Sequence, residues 1–177
     1  VGLMFAAKHL AWLDPFLVLA QCTAHVVAKS EVRGWPVLGW LAAQSGTLFI
    51  ERERRRDVGR ISALFTELLH AGDNVALFPE STTGDGSALN PFKPALLQAA
   101  CASNSHLCPV AIRYVDQAGH PHRAPVWVGD MTFAESILCI TAARGITAEL
   151  TFCPCIAGAQ QTRRALALQA QPAIASA

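Results

Sequence analysis

Short apolar runs alternate along the chain with segments whose apolar residues recur at helical spacing, and this alternation constrains the fold most. The runs predicted as strands cover residues 3–7, 24–28, 47–50, 74–78, 109–115, 126–128 and 146–152. The segments predicted as helices cover 12–22, 57–70, 91–102, 134–144 and 162–171, with a short helix after Gly34 and Pro36 and a frayed Ala-rich end. Strands separated by helices predict βαβ units. The expected fold class is therefore α/β, a single domain with a largely parallel sheet flanked by helices.

The segment 57–70 carries the clearest helical pattern. Its apolar residues, spaced three and four apart, are Val58, Ile61, Leu64, Phe65, Leu68 and Leu69. Asp57 is the expected N-cap and Gly72 the expected stop. This helix should cover one face of the sheet.

Composition excludes several classes of protein. The chain has 177 residues, of which 52% are hydrophobic and 15% charged, so it has ample material for a large core. A net charge of +1 gives no general field that would recruit nucleic acid. No uninterrupted apolar run reaches the roughly 18 residues of a spanning helix. Because the chain begins with Val, we expect residues 1–177 to be a fragment that lacks the natural N-terminus.

The cysteines form no zinc-type pair. The six are Cys22, Cys101, Cys108, Cys139, Cys153 and Cys155. The triplet Cys153-Pro154-Cys155 is the only close pairing. We expect buried, reduced thiols in a cytosolic domain and no metal site.

Polar residues follow three of the predicted strands. His9 follows the first, Arg52 the third and Glu80 the fourth. Ligands bind beyond the carboxyl ends of strands in sheets of this kind. One cleft could therefore collect all three side chains.

His9 and Asp14 have the spacing of a base and its orienting carboxylate. A hydroxyl nucleophile needs a base that titrates near neutrality, which imidazole supplies. A carboxylate on the other ring nitrogen fixes the tautomer and stabilises the imidazolium. If a strand ends at His9 and a helix starts over residues 12–14, Asp14 can fold back onto the imidazole.

Four ordered blocks between about residues 5 and 115 resemble the glycerolipid acyltransferase family typified by lysophosphatidic acid acyltransferase. They are His9-x-x-x-x-Asp14, the stretch from Gly34-Trp-Pro-Val-Leu-Gly39 to Glu51-Arg52, Phe78-Pro79-Glu80-Ser81-Thr82, and Cys108-Pro109-Val110-Ala111-Ile112. The stretch Val128-Gly-Asp-Met-Thr-Phe133 is also similar to bacterial members. The resemblance implies transfer of an acyl group from acyl-CoA or acyl carrier protein to a lysolipid hydroxyl, such as that of 1-acylglycerol-3-phosphate, in membrane lipid biosynthesis.

The same resemblance implies roles for particular residues. His9 would be the base, Asp14 its orienter and Arg52 the contact to the acceptor's phosphate. The residues expected to shape the acceptor site are Phe78, Pro79, Glu80, Ser81 and Thr82. No cofactor is implied beyond the thioester donor, and the protein is expected on a membrane surface, at the cytoplasmic face of the inner membrane.

Three departures from the family pattern leave alternatives open. Lys8 replaces the usual Asn, Ala11 replaces a Ser, and Ser81-Thr82-Thr83 replaces Gly-Thr-Arg. Losing that arginine makes the chain look more like lyso-ornithine lipid acyltransferases, whose acceptor has no phosphate. Lys8 could supply a compensating charge or perturb the imidazole. An inactive lipid-binding module on the same fold is the remaining alternative.

Other features have two interpretations each. The run Arg54-Arg55-Arg56 fits a solvated face or contact with lipid headgroups or coenzyme phosphates. The aromatic residues Trp12, Phe16, Trp35 and Trp40 fit either the core or a membrane interface. Residues 83–87 fit a turn better than a phosphate cradle, and His120 and His122 with Asp116 fit an exposed turn better than a metal site.

Overall fold

The computed structural model of the protein describes residues 1–36, 38–44, 46–50 and 55–177. The strands are β1 Leu3–Ala7, β2 His25–Lys29, β3 Leu48–Ile50, β4 Val75–Leu77, β5 His106–Val115, β6 Thr147–Phe152 and β7 Ile156–Ala157. The helices are α1 Asp14–Gln21, α2 Leu38–Gln44, α3 Arg55–Ala71, α4 Gln98–Ala102, α5 Phe133–Ala142 and α6 Arg163–Ala175. Two 3-10 helices cover Ser30–Gly34 and Pro94–Leu97.

The strands form one sheet in the order β3-β2-β4-β1-β5-β6, with β7 paired to β5 beside β6. The pairs among β3, β2, β4, β1 and β5 are parallel. Strands β6 and β7 run antiparallel to β5. The prediction of a largely parallel sheet flanked by helices is confirmed, with an antiparallel edge.

The sheet buries a separate core on each face. Strand β1 shows the division, because Met4 and Ala6 belong to one cluster and Phe5 and Ala7 to the other. Successive side chains of a strand point to opposite faces. Helices α3, α4 and α6 cover the Met4 face, and α1 packs on the Phe5 face. The face covered by α1 is the one on which His9 and Asp14 lie.

Helix α3 confirms the clearest of the helix predictions. Ile61, Phe65 and Leu69 are buried on one stripe, as the spacing requires. Gly72 follows the helix with φ +97°, a left-handed conformation that glycine adopts without strain. Asp57 lies inside the helix, which includes Arg55, so the prediction of Asp57 as N-cap is wrong.

Three further segment predictions differ from the structure, and one strand was missed. Residues 126–128 form no strand, because the Trp127 N–H donates to the Leu10 carbonyl instead of to a ladder. The helix expected over 91–102 begins only at Pro94 and is divided between the 3-10 helix and α4. Helix α6 continues past residue 171 to Ala175, because buried Ala170 and Ile174 anchor its end. The short strand β7 was not predicted.

A disulfide joins Cys108 and Cys155, so the prediction of buried, reduced thiols is wrong for this pair. Strand β6 pairs with residues 110–115 of β5, and β7 continues in the same direction beside the start of β5, which brings Cys155 to Cys108. Of the four free cysteines, Cys153 is buried as predicted, whereas Cys139 is exposed, so the prediction of burial is wrong for Cys139. Cys22 and Cys101 are partly buried, and burial raises the pKa of both thiols.

Within the described part of the chain, no helix combines the length and hydropathy that crossing a membrane requires.

Candidate active site

The His9 ring and the Asp14 carboxylate are in direct contact. The His9 Nδ1 lies 2.9 Å from Asp14 Oδ2. Since a carboxylate can only accept, Nδ1 carries the proton of this hydrogen bond and Nε2 is left as the basic nitrogen. Asp14 is 0% exposed and the His9 side chain 18% exposed, so the pair sits at the boundary between core and solvent.

Local backbone geometry brings Asp14 back to His9. Strand β1 ends at Ala7 and α1 begins at Asp14, with Pro15 in its first turn. In the intervening turn, the N–H groups of Leu10 and Ala11 donate to Asp14 Oδ2. The other oxygen, Oδ1, accepts from the Tyr114 hydroxyl at 2.7 Å. The carboxylate is therefore held in one orientation by donors on both of its oxygens.

Glu80 joins the His9 turn to the loop after β4. Its Oε1 accepts from the His9 N–H at 2.9 Å, and its Oε2 accepts from the Asn90 N–H at 2.7 Å. The Gly84 N–H in turn donates to the His9 carbonyl at 2.9 Å. Glu80 is only 3% exposed. Burial raises its pKa above the usual carboxyl value, against the opposing effects of these two N–H donors and of the electrostatic interactions with His9 and Lys8.

Residues 78–82 form a turn against the imidazole. The Phe78 ring lies 4.4 Å from the His9 ring, centroid to centroid, and the Ser81 N–H donates to the Phe78 carbonyl at 3.0 Å. Ser81 has φ +62°, a left-handed conformation that explains why glycine suits this position. The Pro79 carbonyl accepts from the Lys93 N–H at 2.9 Å, which ties the turn to the segment before α4.

A cavity of about 470 Å³ opens beside His9. Of the site residues predicted from the sequence, four line this cavity: His9, Phe78, Ser81 and Thr82. Most of the remaining lining is apolar or aromatic and includes Trp12, Pro15, Phe16, Leu19, Val26, Val32, Trp35, Leu38 and Trp127. Pro79 and Glu80, both in the described part of the chain, do not line it. The cavity is suited to an apolar ligand held against the imidazole.

An aromatic cluster builds one wall of this cavity. Trp35 stacks on Trp127 with ring centroids 5.8 Å apart, and Phe133 packs against both Trp12 and Trp35. The Trp12 Nε1–H donates to the buried Ser136 Oγ at 3.0 Å, so α5 is fixed to the site. Trp12, Phe16 and Trp35 thus belong to the cavity wall, whereas Trp40 is 63% exposed.

The described lining carries little positive charge. Its ionisable side chains, among the residues that the structure describes, are His9 and Glu31, and Thr83 also lines it. Arg52 and Arg54 lie outside the described residues, and the side chains of Arg55 and Arg56 are also outside the description.

The His120 turn is exposed, as predicted. Asp116 Oδ1 accepts from the N–H groups of Ala118 and His120, which closes the turn. In the described part of the chain, no three His, Cys, Asp or Glu side chains cluster as metal ligands.

The structure brings together His9, Asp14, Glu80 and the turn at 78–82, and it adds groups that the sequence did not indicate. These are Tyr114, the backbone donors of Leu10 and Ala11, Asn90, Glu31, Trp127 and Phe133. The sequence does mark Tyr114 as unusual. It lies on the same strand face as Val110 and Ile112, at a spacing of two residues, yet it carries a hydroxyl. Its partner lies 100 residues away, which no local pattern reveals.

Comparisons with known proteins agree with this architecture. The family model described as Acyltransferase matches residues 2–113. A 1-acyl-sn-glycerol-3-phosphate acyltransferase of Neisseria gonorrhoeae is 36% identical over 168 residues, covering 95% of this chain and 65% of that protein. A lyso-ornithine lipid O-acyltransferase of Brucella abortus is 35% identical over 178 residues, covering 93% of this chain and 67% of that protein.

The fold has a counterpart among solved structures. The crystal structure of the 1-acyl-sn-glycerophosphate acyltransferase from Thermotoga maritima superposes with a TM-score of 0.63 at 18% identity, covering 99% of this chain and 66% of that one. This chain thus spans about two thirds of the length of the Neisseria and Thermotoga proteins. With the match over residues 2–113 and the identity to both kinds of relative, the chain belongs to the acyltransferase family.

Proposed function

We propose that this protein is an O-acyltransferase that moves an acyl group from a thioester, acyl-CoA or acyl carrier protein, to the hydroxyl of a lysolipid in membrane lipid biosynthesis. The observation that carries the proposal is the His9–Asp14 contact of 2.9 Å at the edge of an apolar cavity. Membership of the acyltransferase family supports it.

In this mechanism His9 is the general base and Asp14 its orienting partner. The acceptor hydroxyl gives its proton to His9 Nε2 as its oxygen attacks the thioester carbonyl carbon. The tetrahedral intermediate then collapses, the carbon–sulfur bond breaks, and the imidazolium returns the proton to the leaving thiolate. Buried Asp14 stabilises the imidazolium between the two steps. No nucleophilic side chain is required.

Glu80 has an indirect role in this proposal. Both of its oxygens accept backbone hydrogen bonds, from His9 and from Asn90, so it fixes the catalytic turn and does not bind the acceptor itself. Phe78, Ser81 and Thr82 form the acceptor-facing surface. We assign the acceptor's phosphate or carboxylate to Arg52 on the family resemblance alone.

The described lining favours an acceptor with a cationic headgroup. Glu31 offers a carboxylate, and Thr83 stands where the family pattern has arginine. An ammonium is attracted to a carboxylate, whereas a phosphate is repelled by it. Lyso-ornithine lipid, which has an ammonium and no phosphate, fits these two residues better than 1-acylglycerol-3-phosphate does.

The test is acyl transfer from a radiolabelled acyl thioester to both acceptors in parallel. We expect transfer to lyso-ornithine lipid to exceed transfer to 1-acylglycerol-3-phosphate. Glu31→Gln should weaken use of the ornithine acceptor, and Thr83→Arg should improve use of the phosphate acceptor. The reverse preference, unchanged by either variant, would contradict the headgroup assignment. Lipid binding without transfer to either acceptor would contradict the proposed enzyme and favour the alternative, an inactive lipid-binding module on the same fold.

We also propose association with a membrane surface at its cytoplasmic face, as the family resemblance implies. Trp40 and Leu41 on α2, with Ile137 and Leu138 on α5, are exposed apolar side chains, here called the apolar rim. Both helices border the cavity, since Leu38 lines it and Phe133 packs on its aromatic wall. Contact between this rim and a bilayer would let a lysolipid reach His9 from the membrane.

A further inference from the structure

Tyr114 contacts the catalytic pair from the end of β5. It is the ninth residue of β5 and is buried on the same sheet face as Phe5 and Val110. Its hydroxyl donates to Asp14 Oδ1 at 2.7 Å, in a site where Asp14 is fully buried. Tyr114 does not line the described cavity, so it reaches the reaction only through Asp14.

The two oxygens of Asp14 are used differently. Oδ2 accepts from His9 Nδ1 and from two backbone N–H groups of the turn. Oδ1 accepts from the phenol. A donor on Oδ1 fixes rotation about the Cβ–Cγ bond and so keeps Oδ2 aimed at the imidazole. It also draws part of the negative charge away from Oδ2.

The phenol is a donor at any pH at which the protein would work. Burial, the negative charge of Asp14 and the hydrogen bond to it all raise the pKa of Tyr114 far above its usual value. A protonated phenol can donate to a carboxylate and a phenolate cannot. The direction of the hydrogen bond is therefore fixed.

We propose that Tyr114 is a positioning residue of the His9–Asp14 pair, setting both the orientation of the Asp14 carboxylate and the basicity of His9. The proposal rests on the proposed function, in which His9 is the general base. It makes the unit a chain of three side chains, from β5 through the start of α1 to the turn after β1.

The charged groups around His9 allow the direction of the effect to be worked out. Asp14 faces the ring directly, Glu80 lies against the His9 backbone, Lys8 precedes it and Glu31 lies across the cavity. All four are kept when the phenol is removed. Without the phenol, the negative charge concentrates on Oδ2 and stabilises the imidazolium more strongly, which makes His9 a stronger base in the variant than in the unmodified protein.

The first test is Tyr114→Phe, assayed as kcat and kcat/KM against pH. Because His9 must be neutral to act as base, a more basic imidazole moves the acidic limb of kcat/KM to higher pH, by about half a pH unit. We expect kcat at neutral pH to fall about tenfold through lost orientation, with the KM for the acceptor unchanged. Ser103→Ala removes another buried, hydrogen-bonded hydroxyl far from the site and should leave the pH profile in place.

The second test does not depend on how well the phenylalanine variant folds. The sequence contains a single tyrosine, so growth on fluorotyrosine alters Tyr114 alone. A fluorinated phenol is more acidic and therefore a stronger donor to Asp14. The acidic limb should then move to lower pH, opposite to the shift in Tyr114→Phe. A purely structural role would not produce shifts of opposite sign.

An NMR titration separates this proposal from the proposed function. The 15N signals of His9, identified by their loss in His9→Asn, report its pKa without any substrate. We expect the pKa of His9 to rise in Tyr114→Phe and to fall with fluorotyrosine. No acyl transfer by the unmodified protein would overturn the proposed function only. An unmoved His9 titration in both altered proteins would overturn the positioning role.

Discussion

Ser81 is a residue whose side chain conflicts with its backbone. A non-glycine residue at φ +62° is held in the left-handed region by the turn that Phe78 begins. The family has glycine at this position of its third block, so the sequence comparison already marked Ser81 as a departure from the family pattern. The structure supplies the physical reason for it.

Replacing Ser81 with glycine should stabilise the protein. The change removes the left-handed cost of an L side chain but adds chain entropy to the unfolded state, so we expect a net gain of about 1 kcal/mol. Urea unfolding measures it. Ser87→Gly, at a position without a positive φ, is the control; it also removes a hydroxyl that donates to Asp85 Oδ1, so it should not stabilise. Equal effects of the two substitutions would argue against strain at Ser81.

Glu80 should make stability depend on pH in an unusual direction. The pKa of Glu80 in the folded protein is raised above the usual carboxyl value of 4.5. At pH values between the unfolded and the folded pKa, the folded state therefore binds more protons than the unfolded chain. The unfolding free energy therefore falls as pH rises through this window. Glu80→Gln should remove that part of the slope, measured by urea unfolding at intervals from pH 4.5 upward.

Glu135 provides the opposite control. Hydrogen bonds from Thr132 lower its pKa, so its contribution to stability is lost as pH falls through the lowered value. Glu135→Gln should thus change the slope below the usual carboxyl range and leave the window above it unchanged. If Glu80→Gln also left the pH dependence of the unfolding free energy unchanged above pH 4.5, burial would not be what raises the pKa of Glu80.

Among the elements, the antiparallel edge formed by β6 and β7 is joined to β5 by the Cys108–Cys155 disulfide, with a sequence separation of 47 residues. Closing a loop of this size restricts the unfolded chain. Cys155→Ser should lower the unfolding free energy by about 2–4 kcal/mol under oxidising conditions. Cys139→Ser removes an exposed free thiol and should have no such effect.

The disulfide also bears on where the protein resides. Disulfides are rare in reducing compartments, and the proposed location is a cytoplasmic membrane face. At that face, thiol counting by rapid alkylation and mass spectrometry on protein taken directly from cells should give six free cysteines, with the Cys108–Cys155 pair reduced. A count of four would show that the disulfide forms in the cell and would contradict the cytoplasmic location.

Elements with a strong local period were predictable, and those fixed by distant contacts were not. Strand β1 and helix α3 follow from apolar spacing, and the parallel order follows from alternation of helices and strands. Residues 126–128 have the composition of a strand, but the Trp127 N–H donates its hydrogen bond to the Leu10 carbonyl in the turn after His9. The end of α6 was missed because burial of Ile174 outweighs the helix-breaking tendency of Pro172.

At the scale of the whole molecule, the candidate site combines the turns after β1 and β4 with the distant end of β5. His9 and Asp14 are close in sequence, so their contact could be predicted from spacing and strand position. Tyr114 and Phe133 reach the site from the second half of the chain. Their contribution depends on the sheet order and on the packing of α5, which the sequence does not encode locally.

The apolar rim should mediate binding to lipid. Replacing Trp40 and Leu138, which are 63% and 66% exposed, with serine removes the two most exposed rim side chains. We expect cosedimentation with phosphatidylcholine vesicles to fall about tenfold or more, since each buried apolar side chain contributes roughly 1.5–3 kcal/mol. Leu168→Ser is the control, because Leu168 is 77% exposed on α6, across the sheet from the cavity. An equal loss of vesicle binding in the rim variant and in Leu168→Ser would show that the apolar rim is not a specific membrane-binding surface.

The most direct measurement is acyl transfer by His9→Asn. Asparagine can still donate to Asp14 but has no basic nitrogen, so the turn is kept while the base is lost. His106→Asn, at the opposite end of the sheet, is the matched control. We predict that His9→Asn loses at least about 100-fold in kcat with an unchanged melting temperature, while His106→Asn stays active. Transfer by His9→Asn at the rate of the unmodified protein would contradict a base at His9.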